Sequence, residues 1–284
     1  MRNQILSIAA GILVTATSWA QKPAYQLFSK SGKKTTYEKM VADAAKVEVV
    51  LFGEHHNNPI CHWLQLELTQ DVAAKKPVVL GAEMIEADNQ KQLDDYLAGR
   101  ISQKQFDTLA RLWSNHKTDY KPLVDFAKDK KLKFVAANIP RRYASMVSKK
   151  GMESLDALTD EEKSWMMPLP MPYDANLPGY VNMMKMMGDH ANENFPKAQA
   201  VKDATMAHFI IKNMQSGSVF IHYNGTYHSD NYEGIGWYLQ KYRTGTKVLT
   251  IATVDQDSLD KLEAEHLNKA DYILVVDGDM TKTY

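Results

Sequence analysis

Six short apolar runs, rich in β-branched residues, recur along the chain at 47–52, 77–83, 132–137, 218–222, 247–252 and 270–276, each bounded by turn or capping residues. They show no strict polar alternation, which is the pattern of parallel strands covered on both faces. Between them lie segments with helical spacing at 61–74, 121–130, 197–214 and 258–268. The alternation predicts an α/β fold: a mainly parallel central sheet of about six strands with helices on both faces and a helical insertion.

Two connections are too long for a simple crossover. Residues 88–120 read as extra helices broken at Gly99, and residues 141–197 carry Pro168, Pro170, Pro172 and Pro178. Long insertions above a parallel sheet usually serve as lids or binding surfaces. Residues 21–284 are expected to form one α/β domain holding both insertions. Residues 1–20 stand apart: Arg2, an apolar stretch from Ile5 to Thr17, and Ser18-Trp19-Ala20 form the pattern of a signal peptide cleaved after Ala20. The stretch is short for a bilayer span. The mature chain is therefore expected to be exported, soluble and without a transmembrane segment.

Composition narrows the function. Lys plus Arg and Asp plus Glu each number 34, so the basic surplus of a general nucleic-acid binder is missing. Cleavage after Ala20 would remove Arg2 alone and leave a net charge of −1. The 44% hydrophobic fraction supports a sizeable core. Cys61 is the one cysteine, so no intramolecular disulfide forms, and no lipid-acceptor cysteine follows the signal.

Candidate chemistry sits where strands end. Leu51-Phe52-Gly53-Glu54-His55-His56-Asn57-Asn58 closes the first run, with His62 in the next helix. Open parallel sheets bind ligands outside their carboxyl edge. Asn57, Asn58 and Pro59 fit a helix start, but that role leaves Glu54, His55 and His56 unexplained. Glu83 closes the second run, and Gly225 with His228 follows the fourth. Glu54, His56, Glu83 and His228 suit either a divalent metal ion or a polar pocket, and spacing does not separate the two. The sequence lacks His-Glu-x-x-His, Gly-x-Ser-x-Gly and the glycine loops of nucleotide enzymes.

The second insertion adds a compositional signal. Seven methionines (166, 167, 171, 183, 184, 186 and 187) lie between Trp165 and Met187, together with Tyr173 and Tyr180. Methionine adapts to irregular apolar surfaces, so this segment suits a helix core, a planar ligand or a partner subunit.

Taken in order, these motifs resemble the ChaN-like haem-binding family, related to the erythromycin esterase and Tiki/TraB families. The resemblance runs from Gly53-Glu54-x-His56-Asn57-Asn58 with His62, through Glu83, Gln90, Leu93 and Tyr96, to Trp113 and Tyr120-x-Pro122. It continues with Ala136-Ala137-Asn138-Ile139-Pro140-Arg141 and Gln199-x-x-Lys202-Asp203-Ala204-x-Met206-Ala207, and ends at Gly225-x-x-His228. It implies an exported protein, periplasmic or outer-membrane associated, that binds haem and assists haem or iron acquisition. It further implies ferric haem held by a tyrosine and a homodimer that brings two haems together. Tyr173 and Tyr180 both lie in the corresponding segment, and His56, His62 and His190 are candidates to support the phenolate or propionates. The missing lipid-acceptor cysteine departs from the lipoprotein pattern of the family. The competing reading is a metal-dependent hydrolase in which Glu54 or His56 activates water while Glu83 and His228 hold or polarise the reacting centre.

Overall fold

A computed structural model describes residues 22–284; the expected signal peptide at 1–20 lies outside the described residues. Among the described residues, seven strands form one sheet: β1 (Tyr25–Ser29), β2 (Val49–Glu54), β3 (Val78–Glu86), β4 (Phe134–Asn138), β5 (Val219–Gly225), β6 (Val248–Gln256) and β7 (Tyr272–Asp277). Their order is β1-β7-β6-β2-β5-β3-β4. Every pairing is parallel except that of β1 on β7. β2, β4 and β5 are buried at every position, which is why their sequences read as continuous apolar runs.

Helices cover both faces. On one, α1 (Tyr37–Ala44), α2 (Pro59–Ala73), α3 (Gln90–Leu97), α4 (Gln103–Leu109) and α5 (Lys121–Lys130) bury Met40, Leu64, Leu93, Phe106 and Val124 against the sheet core. On the other, α6 (Arg141–Lys150), α8 (Pro178–Met187), α9 (Asn194–Asn213) and α10 (Ile235–Tyr242) contribute Tyr143, Tyr180, Met206 and Tyr238, while α7 (Asp160–Lys163) is a single turn with no buried residue. Burying side chains of this size is worth about 1.5–3 kcal/mol each, so the two apolar layers hold the sheet rigid beneath its polar edge.

The structure departs from the sequence pattern in two places. β1 is an antiparallel edge strand with the burial of a partly covered segment, and no apolar run announces it. Residues 258–268 are not a helix but a loop with one 3₁₀ turn, Ala264–His266. Gln256 explains this: its amide donates to the Ser258 and Lys261 carbonyls at 2.9 and 3.0 Å and accepts from the Glu263 N–H at 3.0 Å. These bonds replace a helical ladder, and Leu259 and Leu262 are buried beside Phe28 and Ile273 under the sheet edge.

Candidate functional site

The chain moves outward from β2 through β3 to β4, returns to the centre as β5, and then crosses β2 to reach β6 and β7. The carboxyl ends of β2, β3 and β5 therefore meet at the middle of the sheet, where strand order reverses. Glu54 ends β2 opposite Gly225, which ends β5. Glu83 lies in β3 at a register shift between Ala82 and Glu86 relative to β4, an irregularity that re-aims a side chain out of the pleat. Gly225 is required by space: a Cβ there would stand 2.8 Å from His56 Nε2 and 3.5 Å from Glu83 Oε2.

Two linked groups fill this edge. Glu54 is buried; its Oε1 lies 2.8 Å from His56 Nδ1 and accepts from the Tyr120 hydroxyl at 2.7 Å, while Oε2 accepts from Gln65 Nε2 at 2.6 Å. With both oxygens engaged, Glu54 orients His56. Glu83 Oε2 accepts the Gly225 N–H at 2.7 Å, and its Oε1 lies 3.1 Å from His228 Nε2. The other ring nitrogen of His228 stands 2.5 Å from Asp203 Oδ1 on α9. Burial opposes charge on His228, but Glu83 and Asp203 outweigh it and push its pKa up to about 10. Burial likewise works against a charged Glu83, yet His228 and His56 hold its carboxyl well below the usual range. For Asp203 burial wins, and its pKa rises despite His228. Burial also disfavours a charge on His56, but the Glu54 hydrogen bond and the Glu83 charge raise its pKa above the ordinary histidine value.

His56 and His228 line a cavity of about 450 Å³ with Gln199, Thr226 and Tyr284. His62, in the first turn of α2, is buried beneath it, with Nε2 3.1 Å from the His56 carbonyl oxygen and Nδ1 3.6 Å from Glu54. His55 turns toward β6, 3.3 Å from Asp255. Asn58 caps α2, accepting from the Ile60 and Cys61 N–H groups, with Pro59 at the first helical position. Cys61 is buried, and burial raises its thiol well above the usual value. Among the described residues, one trio of His, Cys, Asp or Glu donors lies within 4.8 Å of one another, Glu263, Glu265 and His266. Glu54, His56, Glu83 and His228 form no such trio and instead face one another in pairs.

Tyr173 and Tyr180 stack with ring centroids 5.7 Å apart. Tyr180 is buried, lines a second cavity of about 360 Å³ along α8, and its hydroxyl lacks a hydrogen-bond partner. Burial, then the charge of Asp203, moves that phenol far up; burial and Glu193 raise the half-buried Tyr173. His190 is exposed on the 3₁₀ turn Gly188–His190, outside the lining of both cavities. Met166 and Met167 are core residues, whereas Met186 on α8 is 74% exposed.

Gln65, Tyr120 and Asp203 belong to the cluster although none of them lies at a strand end. Tyr120 and Asp203 stand within the family motifs quoted above, and Asp203 is a carboxylate among alanines on the buried side of α9, the one local sign of its role.

These features define an α/β protein with a buried carboxylate–histidine cluster at the switch point of a parallel sheet. The sequence profile of the family described as haem-binding uptake, Tiki superfamily, ChaN, matches residues 40–239, and the chain belongs to that family. No curated protein matches the sequence. Among solved structures, ChaN of Campylobacter jejuni, described as binding haem cofacially, superimposes with a TM-score of 0.67 at 16% identity, covering 89% of this chain and 97% of its own. A Bacillus cereus protein gives a TM-score of 0.50 at 11% identity, covering 89% and 95%. A succinoglycan biosynthesis protein also gives 0.50, at 9% identity, covering 89% and 94%. At these identities the likenesses show a shared fold.

Proposed function

We propose that this protein is an exported haem carrier that serves haem or iron uptake, its cargo held through ferric iron by a tyrosine beside α8. Membership of the haem-binding uptake family over residues 40–239 carries the reading. Tyr180 supports it: the residue lines a cavity while its hydroxyl is sealed without a hydrogen-bond partner, and such a polar atom is costly unless a ligand completes it. Tyr173, stacked on Tyr180, is the alternative ligand. Ferric iron is a hard Lewis acid that favours phenolate oxygen; burial keeps both phenols protonated until iron displaces the proton. His56 and His62 are the supporting groups nearest the sheet edge. The exposed Met186 and the adjoining methionines of α8 are the proposed contact with a second copy.

Export rests on Arg2, the apolar stretch from Ile5 to Thr17 and Ser18-x-Ala20. Among the described residues, no helix is long and apolar enough to cross a membrane. The test is hemin titration of the purified chain beginning at Gln21, followed in the Soret region. A saturable band with high-spin ferric character is expected, and a spectrum indistinguishable from free hemin overturns the proposal.

A further inference from the structure

A groove of about 870 Å³, larger than the two cavities described above, opens between residues 111–115 and the first turn of α6. It belongs to the same edge of the sheet. Trp113, on its wall, packs edge-on against His56 with ring centroids 4.7 Å apart, and Tyr284 lines both this groove and the cavity over Gly225.

Three guanidinium groups line the groove: Arg111, Arg141 and Arg142. Asp88, whose side chain is 7% exposed, organises two of them, taking Arg111 on one oxygen and Arg142 Nη1 on the other at 2.6 Å. Glu86 also accepts from Arg111, at 3.1 and 3.0 Å. Arg142 is further fixed over the Tyr143 ring, 4.4 Å from its centroid. Two carboxylates thus hold two arginines in place, so less side-chain entropy remains to be lost when a ligand binds. Arg141 makes no ion pair or side-chain hydrogen bond among the described residues, so its guanidinium is free on the wall. The amino end of α6, which has no side-chain cap, adds a partial positive charge of the same sense.

A wall that joins an indole to one free and two pre-set guanidinium groups suits a flat apolar body that carries acid groups at one edge. We propose that this groove holds the propionate-bearing edge of a tetrapyrrole, with Arg141 as the principal carboxylate partner and Trp113 against the macrocycle. The proposal rests on the haem reading above and is independent of which side chain meets the iron.

The test uses mesoporphyrin IX, which has free propionates and no iron, alongside its dimethyl ester and hemin, each titrated into the wild-type chain and Arg141→Gln. The exposed position of Arg141 spares the fold, and an unchanged unfolding midpoint checks this. The free acid is expected to bind saturably and about tenfold more tightly than the ester, the worth of a charge-assisted contact of about 1.4 kcal/mol. Arg141→Gln should remove most of that advantage and leave ester binding unchanged. Equal binding of acid and ester, or an Arg141→Gln chain that keeps the full preference, overturns the groove assignment; a saturable hemin spectrum in the same protein would show that the haem reading stands without it. No saturable response to hemin in the wild type removes both.

Discussion

Glu83 and His228 form a buried ion pair, Oε1 to Nε2 at 3.1 Å, with side chains 6% and 7% exposed. Each charge is costly to bury alone, and each has a second partner: the Gly225 N–H for Glu83 and Asp203 for His228. Replacing His228 by Leu leaves both carboxylates facing an apolar side chain. The expected loss is about 3–5 kcal/mol, the range for breaking a buried pair from one side, read from chemical denaturation. Glu83→Gln should cost less, since an amide oxygen still accepts the Gly225 N–H. A His228→Leu chain within about 1 kcal/mol of wild type would show that the pair contributes little.

Stability should fall on the acid side. Burial lowers the pKa of His222 on β5 to about 4, and burial does the same to His116; the unfolded value is about 6.5. Between those values the unfolded chain binds more protons than the folded one. These two groups therefore favour folding fully above pH of about 6.5, and lose that contribution as pH falls to about 4, by about 3 kcal/mol for His222. His228 has the opposite sign: its raised pKa of about 10 stabilises the fold fully below about 6.5, and that contribution is lost as pH rises through 10. His222→Gln should flatten the acid limb of a pH–stability curve; an unchanged limb rejects this origin.

Gly225→Ala should act through His56. The added Cβ would meet His56 Nε2 at 2.8 Å, so the ring must shift, and the expected result is a weakened bond to Glu54. Its pKa, raised by that hydrogen bond against the cost of burial, should drop, as read by proton NMR titration of the histidines. A destabilisation of about 1–3 kcal/mol is expected from the overpacking. An unmoved His56 resonance would contradict the close approach.

Cys61 should be inert in the folded protein. It is fully buried, its Sγ donates to the Asn58 carbonyl at 3.0 Å, and burial keeps it protonated. Ellman's reagent should react only as the chain unfolds. Rapid stoichiometric labelling of the native protein at neutral pH would refute this.

Tyr180→Phe keeps the ring that stacks on Tyr173 and removes only the unpartnered hydroxyl. It should abolish the ferric tyrosinate spectrum of the hemin complex and leave stability within about 1 kcal/mol. Tyr173→Phe should then have the smaller effect. The reverse ranking assigns the iron to Tyr173, and an unchanged spectrum in both variants excludes both phenols.

The apolar runs of β2 to β7 were legible because a parallel strand covered on two faces must be apolar at successive positions. Glu54 and His56 stood out for the same reason, as polar groups at the end of such a run. By itself, then, the sequence determined the α/β class, the strands that form the sheet centre and the edge on which polar chemistry collects. Local pattern failed where side-chain hydrogen bonds and tertiary packing overrode it. Residues 258–268 have helical spacing, but Gln256 and burial beneath β7 draw them into a loop. The partners of the site were hidden likewise: Tyr120 reaches Glu54 across 66 positions, and Gly225 reaches Glu83 across 142. Only tertiary structure decided that His228 lies between two carboxylates, that Tyr180 is sealed with its hydroxyl unpartnered, and that Arg111 and Arg142 share Asp88. The physical reason is that hydrogen bonds and ion pairs depend on distances of about 3 Å between side chains, and strand order and helix packing, rather than sequence spacing, set those distances.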